Sequence, residues 1–321
     1  MRNKSKLFSI CGGLLSLFLF FTSDATYGLD FEQEFTVVRV KFAENTTQVY
    51  GYDDYTNPDI PWKSVETSRS DTAKVDISPV SALNKVYFVS TNIAAVTVSP
   101  TQATSSPQTI TLEGGAKGES DVRANMASEE GKAATKIDVA AYDKIVKTVA
   151  LIPVRSPSDP GTDVNVNDVV NFLNKKAYNQ AVVEWNVFHM GFCTANFDLN
   201  KDGLIDVKTW MTDEMIVVRD TCKNDTFDYN IFLVDHPSDG SFGFMDFGPN
   251  QRYGFVHVGE IVGASCNVNQ VVAHELGHGA FGLTHPNEEG QPVIDAANLM
   301  TWFADFSPWR LRKYQWDKIN P

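Results

Sequence analysis

Long apolar segments are scarce in this chain of 321 residues. The clearest one covers residues 12–21 (GGLLSLFLFF), and it is too short to span a membrane comfortably. It follows the basic residues Arg2, Lys4 and Lys6 and precedes a stretch of small residues, which is the order typical of a secretory signal. We therefore predict a signal peptide over residues 1–28. The mature protein is expected to be secreted, whether extracellular, periplasmic or associated with the cell surface, and to have no transmembrane segment.

Basic residues are also in short supply. The chain has 27 lysines and arginines against 40 acidic residues, which gives a formal net charge of −13. A surface of this sign repels the phosphate backbone, so nucleic acid is excluded as an expected partner. The acidity is spread along the chain, and we interpret it as favouring solubility and the binding of cations.

Cysteines are few, with four in the whole chain. Cys11 belongs to the predicted signal peptide, which leaves Cys193, Cys222 and Cys266 after export. An oxidising compartment favours one disulfide, and we predict that Cys193 pairs with Cys222 because both flank segments of the same domain. Cys266 is then an inert buried thiol or, alternatively, a thiolate that caps a metal ion.

Histidine is rare too, with six in the chain, yet three of them lie between positions 274 and 285. The stretch His274-Glu275-Leu276-Gly277-His278 places two imidazoles four residues apart, and such residues share one face of a helix. They can offer two nitrogens to one zinc ion at about 2.0–2.1 Å. Glu275 can take a proton from a metal-activated water, so the spacing predicts a zinc site with its own general base. The other histidines, His189, His236 and His257, adjoin or lie within predicted strands and are expected to be structural.

Residues 29–145 combine short β-rich runs with glycine, proline, serine and asparagine, a pattern that predicts an all-β sandwich. A valine-rich run ends at Pro100, and a glycine-rich turn at Gly114 and Gly115 then leads to a closing strand at 121–124. This order resembles a bacterial immunoglobulin-like domain. The resemblance implies a spacer or an adhesive platform, and a pro-segment that covers the active site is the alternative.

Residues 146–321 mix helical and strand patterns, which predicts an α+β catalytic domain. We expect one helix to begin near residue 167, and another to carry the histidines from about residue 267 until Gly279 and Gly282 break it. Amphipathic spacing predicts a further helix over 309–319. The main strands are predicted at 181–187, 229–234 and 253–258.

After His278, the segment Gly282-Leu283-Thr284-His285 resembles the metzincin clan of zinc endopeptidases, whose motif adds a glycine and a third histidine to the first two. Asn298-Leu299-Met300-Thr301 is similar to the Met-turn of that clan. The segment KYQWD resembles metallopeptidase-like modules at the C-termini of secreted bacterial proteins. The resemblance implies a zincin fold. It assigns His274, His278 and His285 as zinc ligands, Glu275 as general base and Met300 as the hydrophobic floor of the site.

The chain departs from the metzincin pattern at two places. Three residues separate His278 from Gly282 where the clan has two, and one extra helical residue adds about 100° of rotation and about 1.5 Å of rise. A longer helix could still present His285, and an acidic third ligand is the alternative. The acidic candidates are Glu288, Glu289 and Asp295. Trp302 stands where several metzincins have a tyrosine, so no hydroxyl is assigned there to the transition state.

A second cation site is predicted in the loop that begins at Asp198. Oxygen side chains recur at alternate positions, and Gly203 allows a sharp turn, which resembles the calcium loops of EF-hands and dockerins. The twelfth position is Thr209, which cannot chelate as a bidentate glutamate does, although Asp213 or Glu214 could fold back. A turn rich in aspartate and asparagine without an ion is the alternative. The candidate calcium residues are Asp198, Asn200, Asp202, Leu204 and Asp206.

Together these patterns predict a secreted zinc-dependent endopeptidase that hydrolyses peptide bonds with a metal-activated water. Glu275 takes the proton of the water and carries it to the leaving amine. We expect a protein or peptide substrate, zinc as cofactor with calcium as a candidate second ion, and a monomer. The alternative is a surface adhesin or binding protein with a vestigial zinc site, and the intact Glu275 argues against it.

Overall fold

The computed structural model describes residues 37–157, 159–246, 251–261, 267–288, 295–301 and 309–321. The predicted signal peptide at residues 1–28, Cys266, Glu289 and Trp302 lie outside these ranges. Where it is described, the chain is mostly β, with mixed sheets and few helices. None of the described helices is long and apolar enough to cross a membrane.

The N-terminal part consists of two sheets around one apolar core. Its strands are β1 (Arg39–Ala43), β2 (Tyr52–Asp53), β3 (Trp62–Glu66), β4 (Ser70–Ser78), β5 (Val86–Ser90), β6 (Val96–Ser99), β7 (Gln108–Gly114), β8 (Gly118–Met126) and β9 (Ala133–Tyr142). One sheet has the order β1-β4-β7-β6, and the other has the order β2-β3-β9-β8-β5. Every second residue of β4 and β7 is buried, among them Val75 and Leu112, because successive side chains of a strand point to opposite faces. We refer to residues 37–142 as the sandwich.

The C-terminal part has its own sheet, which starts directly after β9. Its strands are β10 (Ile145–Arg155), β11 (Val183–His189), β12 (Cys193–Thr194), β13 (Tyr229–Val234), β14 (Gly243–Met245) and β15 (Tyr253–His257). The order is β11-β10-β13-β15-β14, and β12 also pairs with β10. Strands β10, β11, β13 and β15 run parallel, whereas β14 is antiparallel to β15 at the edge. The strand predicted at 181–187 begins only at Val183, because Tyr178–Ala181 forms a 3-10 turn.

Helices cover the C-terminal sheet. They are α1 (Val166–Phe172), α2 (Asp213–Cys222), α3 (Val258–Ile261), α4 (Val268–Phe281) and α5 (Lys313–Ile319). Helix α1 begins earlier than predicted because the side chain of Asn165 caps it. Helix α5 begins four residues later than the predicted 309, at Lys313.

Both faces of the C-terminal sheet are buried, as parallel sheets require. Ile231 and Leu233 of β13 join the apolar cluster to which α1, α4 and α5 contribute. Phe232 and Val234, which point to the opposite face, pack in a second cluster with α2. Residues 231–234 of β13 therefore form a continuous apolar run, and the strand lies in the middle of the sheet.

A disulfide fixes one side of this part. Cys193 in β12 is bonded to Cys222 at the end of α2, with a Cα–Cα distance of 5.8 Å. The pairing predicted from the sequence is confirmed, and it ties α2 to the sheet.

Candidate metal centre

Helix α4 carries the first two histidines, and its ends are well defined. At the start, the Asn267 side chain accepts a hydrogen bond from the Gln270 backbone, and the Gln270 side chain accepts one from the Asn267 backbone, both at 3.0 Å. At the end, Gly282 adopts a left-handed φ of 59°, which a glycine takes without steric strain. The prediction that Gly279 breaks the helix is wrong. Gly279 lies inside α4, where a β-carbon would lie only 2.8 Å from Met245 Sδ.

The helix brings the three histidines of the motif together. His274 Nε2 lies 3.1 Å from His278 Nε2 and 3.2 Å from His285 Nε2. The extra residue before Gly282 is absorbed because α4 continues to Phe281, and the chain then turns back so that His285 faces the helix. Among the described histidine, cysteine and acidic side chains, these histidines are the only group that places three potential ligand atoms within 4.8 Å of one another.

The outer nitrogens of the rings determine how the histidines are oriented. His274 Nδ1 donates to the Leu299 carbonyl at 2.9 Å, and His278 Nδ1 donates to the Leu283 carbonyl at 2.7 Å. His285 Nδ1 lies 3.5 Å from Glu288 Oε1. A neutral ring that carries its proton on Nδ1 presents a lone pair on Nε2. Partners of this kind are typical of metal-binding histidines, because they fix the tautomer and the angle of the ring.

Burial keeps these rings neutral. It lowers the pKa of His274 to about 3 and that of His278 to about 4. The pKa of His285 is lowered as well, mainly by burial. With the rings neutral, the Nε2 lone pairs of His274 and His278 face each other, an arrangement that a cation between them would stabilise.

The two separations measured from His274 Nε2 fit a tetrahedral metal ion. Two nitrogens at 2.0–2.1 Å from one ion, at the tetrahedral angle, are separated by about 3.3–3.4 Å. The observed separations of 3.1 and 3.2 Å come close to this value. Imidazole nitrogens suit zinc, copper, iron and nickel, so the three rings could hold a transition-metal ion.

Glu275 is the acidic residue of the centre, and its side chain is buried, with 6% of its surface exposed. Burial raises its pKa from 4.5 to about 8. Its carboxyl group lies against Gly243 in the edge strand β14, where a β-carbon would come within 2.5 Å of Glu275 Oε1. The sequence pattern did not identify Gly243, since only the tertiary fold brings β14 next to α4.

Met300 lies directly beneath the motif helix and is fully buried. A β-carbon at Gly277 would lie 2.6 Å from Met300 Sδ, so the sulfur occupies the space that this glycine leaves. Met300 belongs to a loop that is held by its own hydrogen bonds. The Met300 backbone donates to Asn298 Oδ1 at 2.9 Å, and Thr301 Oγ1 donates to the Asp295 carbonyl at 2.7 Å. We call residues 295–301 the Met loop.

The acidic alternatives for the third ligand do not join the centre where they are described. Asp295 accepts two hydrogen bonds from Arg312, at 2.6 and 2.7 Å. Glu288 contacts His285 on the outside of the cluster. The buried His257 also lies apart, with Nδ1 2.8 Å from the Ser241 carbonyl, and burial lowers its pKa to about 4.

The candidate calcium loop is ordered by side-chain contacts to its own backbone. Gly203 N donates to Asp198 Oδ2 at 3.1 Å, and Leu204 N donates to Asp202 Oδ1 at 2.9 Å. Glu214, at the start of α2, is buried and accepts hydrogen bonds from Leu199 N at 2.8 Å and Asp206 N at 2.7 Å. The loop carboxylates do not converge as closely as the three histidines do.

Comparisons with known proteins add little to this geometry. No family model matches the chain, and no curated protein matches it. Domains 4 and 5 of the S-layer protein SbsC are 23% identical over 24% of this chain and 40% of that chain, with a TM-score of 0.21. Domains 1–6 of the same protein are 20% identical over 34% of this chain and 13% of that chain, also with a TM-score of 0.21.

Proposed function

We propose that this protein is a secreted zinc-dependent endopeptidase of the metzincin-like kind. The observation that carries the proposal is the convergence of His278 Nε2 and His285 Nε2 on His274 Nε2, at 3.1 and 3.2 Å, next to a buried glutamate that follows the first histidine in sequence. His274, His278 and His285 would hold the ion. When bound, zinc polarises a carbonyl oxygen and lowers the pKa of a water molecule towards neutrality.

Glu275 would move the protons of the reaction. A pKa near the working pH lets a group both accept and release a proton, and burial raises the pKa of this carboxyl to about 8 in the metal-free protein. A positive charge nearby favours its ionised form. Glu275 would then accept a proton from the attacking water and pass it to the nitrogen of the broken peptide bond.

The position of Glu275 also supports an extended polypeptide as substrate. Strand β14 lies at the end of the sheet order, so its outer edge has no strand partner within the described residues. Extended peptides bind to such edges through backbone hydrogen bonds. Since Gly243 of β14 touches the Glu275 carboxyl group, a peptide paired with β14 would run past the general base.

The experiment for this proposal combines metal analysis with casein cleavage by the purified protein. We expect about one zinc per chain, as for a mononuclear site, and casein cleavage that a chelator abolishes. Glu275→Gln should retain zinc and lose cleavage, whereas His285→Ala should lose zinc. His189→Ala is the control, because His189 contacts Asp163 and lies outside the cluster.

Two results would contradict the proposal. Undiminished casein cleavage by Glu275→Gln would exclude the proposed base, and full zinc occupancy in His285→Ala would exclude the third ligand. An adhesin with a vestigial zinc site, the alternative function, predicts zinc binding with no cleavage by the native protein.

We further propose a structural calcium ion in the loop that begins at Asp198. Asp198 Oδ1 is buried and has no hydrogen-bond partner among the described residues, which leaves an oxygen available to a cation. Gly203 adopts a φ of 82°, as the sharp turn of a calcium loop requires. Glu214 would replace the glutamate that is missing at the twelfth position. The remaining candidate ligands are Asn200, Asp202, Leu204 and Asp206.

A further inference from the structure

Buried charges connect the sandwich to the metal-binding part of the chain. Asp53 of β2 is fully buried, and Arg312 and Asp295 are 4% and 5% exposed. Arg312 donates to both carboxylate oxygens of Asp295, at 2.6 and 2.7 Å, and its third nitrogen lies 3.3 Å from Asp53 Oδ1. One arginine from the C-terminal segment thus holds a carboxylate of the sandwich and a carboxylate of the Met loop.

Asp53 also fixes the start of helix α5. Its second oxygen accepts a hydrogen bond from the Lys313 backbone at 2.9 Å. The Arg312 guanidinium lies 4.3 Å from the centre of the Tyr55 ring, which is a second contact with the sandwich. Asp53 therefore helps to determine the position of Arg312, and its carboxylate partly balances the positive charge of the guanidinium.

From Arg312 the contacts continue to the metal centre. The Asp295 carbonyl accepts a hydrogen bond from the Thr301 hydroxyl, so the residue that Arg312 holds also ties the two ends of the Met loop together. In the middle of the loop, Leu299 N donates to the Arg310 carbonyl at 2.7 Å, two residues before Arg312. The carbonyl of Leu299 is the acceptor for His274 Nδ1.

We propose that Asp53 of the sandwich is a positioning residue for the metal centre. It acts through Arg312 and Asp295 on the Met loop, whose Leu299 carbonyl orients His274. The sandwich then contributes to the geometry of the site, and it is neither a detachable spacer nor a pro-segment. This inference rests on the proposed function for its consequence in catalysis.

The test compares Asp53→Asn with Asp71→Asn. Asp71 pairs with Lys63 inside the sandwich, and both side chains are buried, so its loss weakens the same part of the protein without removing a partner of Arg312. Zinc affinity is measured by competition with a chelator, at a temperature where circular dichroism shows every variant to be folded. Loss of partners that orient metal ligands weakens metal affinity about 10- to 100-fold, and we expect about tenfold for Asp53→Asn. Asp71→Asn should match the native protein.

A second measurement does not depend on zinc. Nitrogen NMR of the histidine rings in the metal-free protein at pH 7 reports whether the His274 proton stays on Nδ1. We expect one defined Nδ1–H signal in the native protein and in Asp71→Asn, and exchange between tautomers in Asp53→Asn. Should Asp53→Asn not fold, Arg312→Lys replaces it, because lysine keeps the charge but loses the paired hydrogen bonds to Asp295.

The inference is overturned if Asp53→Asn retains native zinc affinity and the native His274 signal, or if Asp71→Asn changes both as strongly. A native protein that shows the His274 signal but binds no zinc would refute the proposed function and leave the positioning role supported. Glu44→Gln, which removes an ion pair of the sandwich with Arg310 at the protein surface, should change neither measurement.

Discussion

Replacing Glu275 by glutamine should stabilise the metal-free protein, and under the proposed function it should also abolish catalysis. The carboxyl group is buried, and burial raises its pKa from 4.5 to about 8. In the unfolded chain the group ionises as the pH passes 4.5, but in the folded protein it stays protonated until about pH 8. Below pH 4.5 the group is protonated in both states, and the folded protein has its full stability. As the pH rises from 4.5 to 8, the unfolded chain ionises but the folded protein does not, so the free energy of unfolding falls.

The size of this effect follows from the two pKa values. A tenfold change in proton affinity corresponds to about 1.4 kcal/mol, so ionisation disfavours the folded protein by about 5 kcal/mol above pH 8. The corresponding loss is about 3 kcal/mol at pH 7 and about 1 kcal/mol or less at pH 5. Glutamine has nearly the same shape and does not ionise. Glu275→Gln should therefore be more stable than the native protein by these amounts.

Urea unfolding in the presence of a chelator measures this difference at pH 5, 6, 7 and 8. The stability advantage of Glu275→Gln should grow steadily across the series, and Glu130→Gln, at an exposed position, should show no such trend. A difference that stays constant between pH 5 and pH 8 would refute the reasoning, because it would mean that the carboxyl group is not held in its protonated form by burial.

Two further predictions concern the surroundings of the site. Gly277→Ala places a β-carbon 2.6 Å from Met300 Sδ, and the overpacking cost of about 1–3 kcal/mol should exceed the gain of about 1 kcal/mol in helix propensity. Thermal unfolding should show a lower midpoint for Gly277→Ala. Adding Met300→Ala should remove the part of this loss in stability that comes from the clash with the Met300 sulfur. Calcium should raise the melting temperature of the native protein but not that of Asp198→Ala, and calorimetry at constant temperature would detect the binding directly.

Local patterns predicted the parts of the site that depend on sequence spacing. The four-residue interval of His274 and His278 follows from the helical repeat, and the end of α4 at Gly282 follows from the conformational freedom of glycine. The Cys193–Cys222 pair could be predicted because both cysteines flank segments of the same domain. The prediction for Gly279 is wrong because a glycine within a helix and one at its end look alike in sequence. In the structure Gly282 adopts a left-handed φ, whereas Gly279 continues the helix and packs against Met245.

The remaining features depend on tertiary contacts. Gly243 meets Glu275 only because β14 lies at the edge of the sheet beside α4, and a short strand of three residues has no distinctive pattern. The contact of Asp53 with Arg312 joins positions that lie 259 residues apart in the chain. No periodicity or motif indicates such a pair, so this contact between the sandwich and the C-terminal segment could not be predicted from the sequence.

The change from β9 to β10 at Ile145 looks like a simple domain boundary, yet the protein should not be divisible there. Trp316 of α5 is fully buried, and a β-carbon added at Gly51 of the sandwich would lie 2.5 Å from its ring. A fragment that began at Ile145 would expose this indole to water together with the guanidinium of Arg312. Exchange of the N-terminal part for another domain would therefore require a replacement that reproduces this surface.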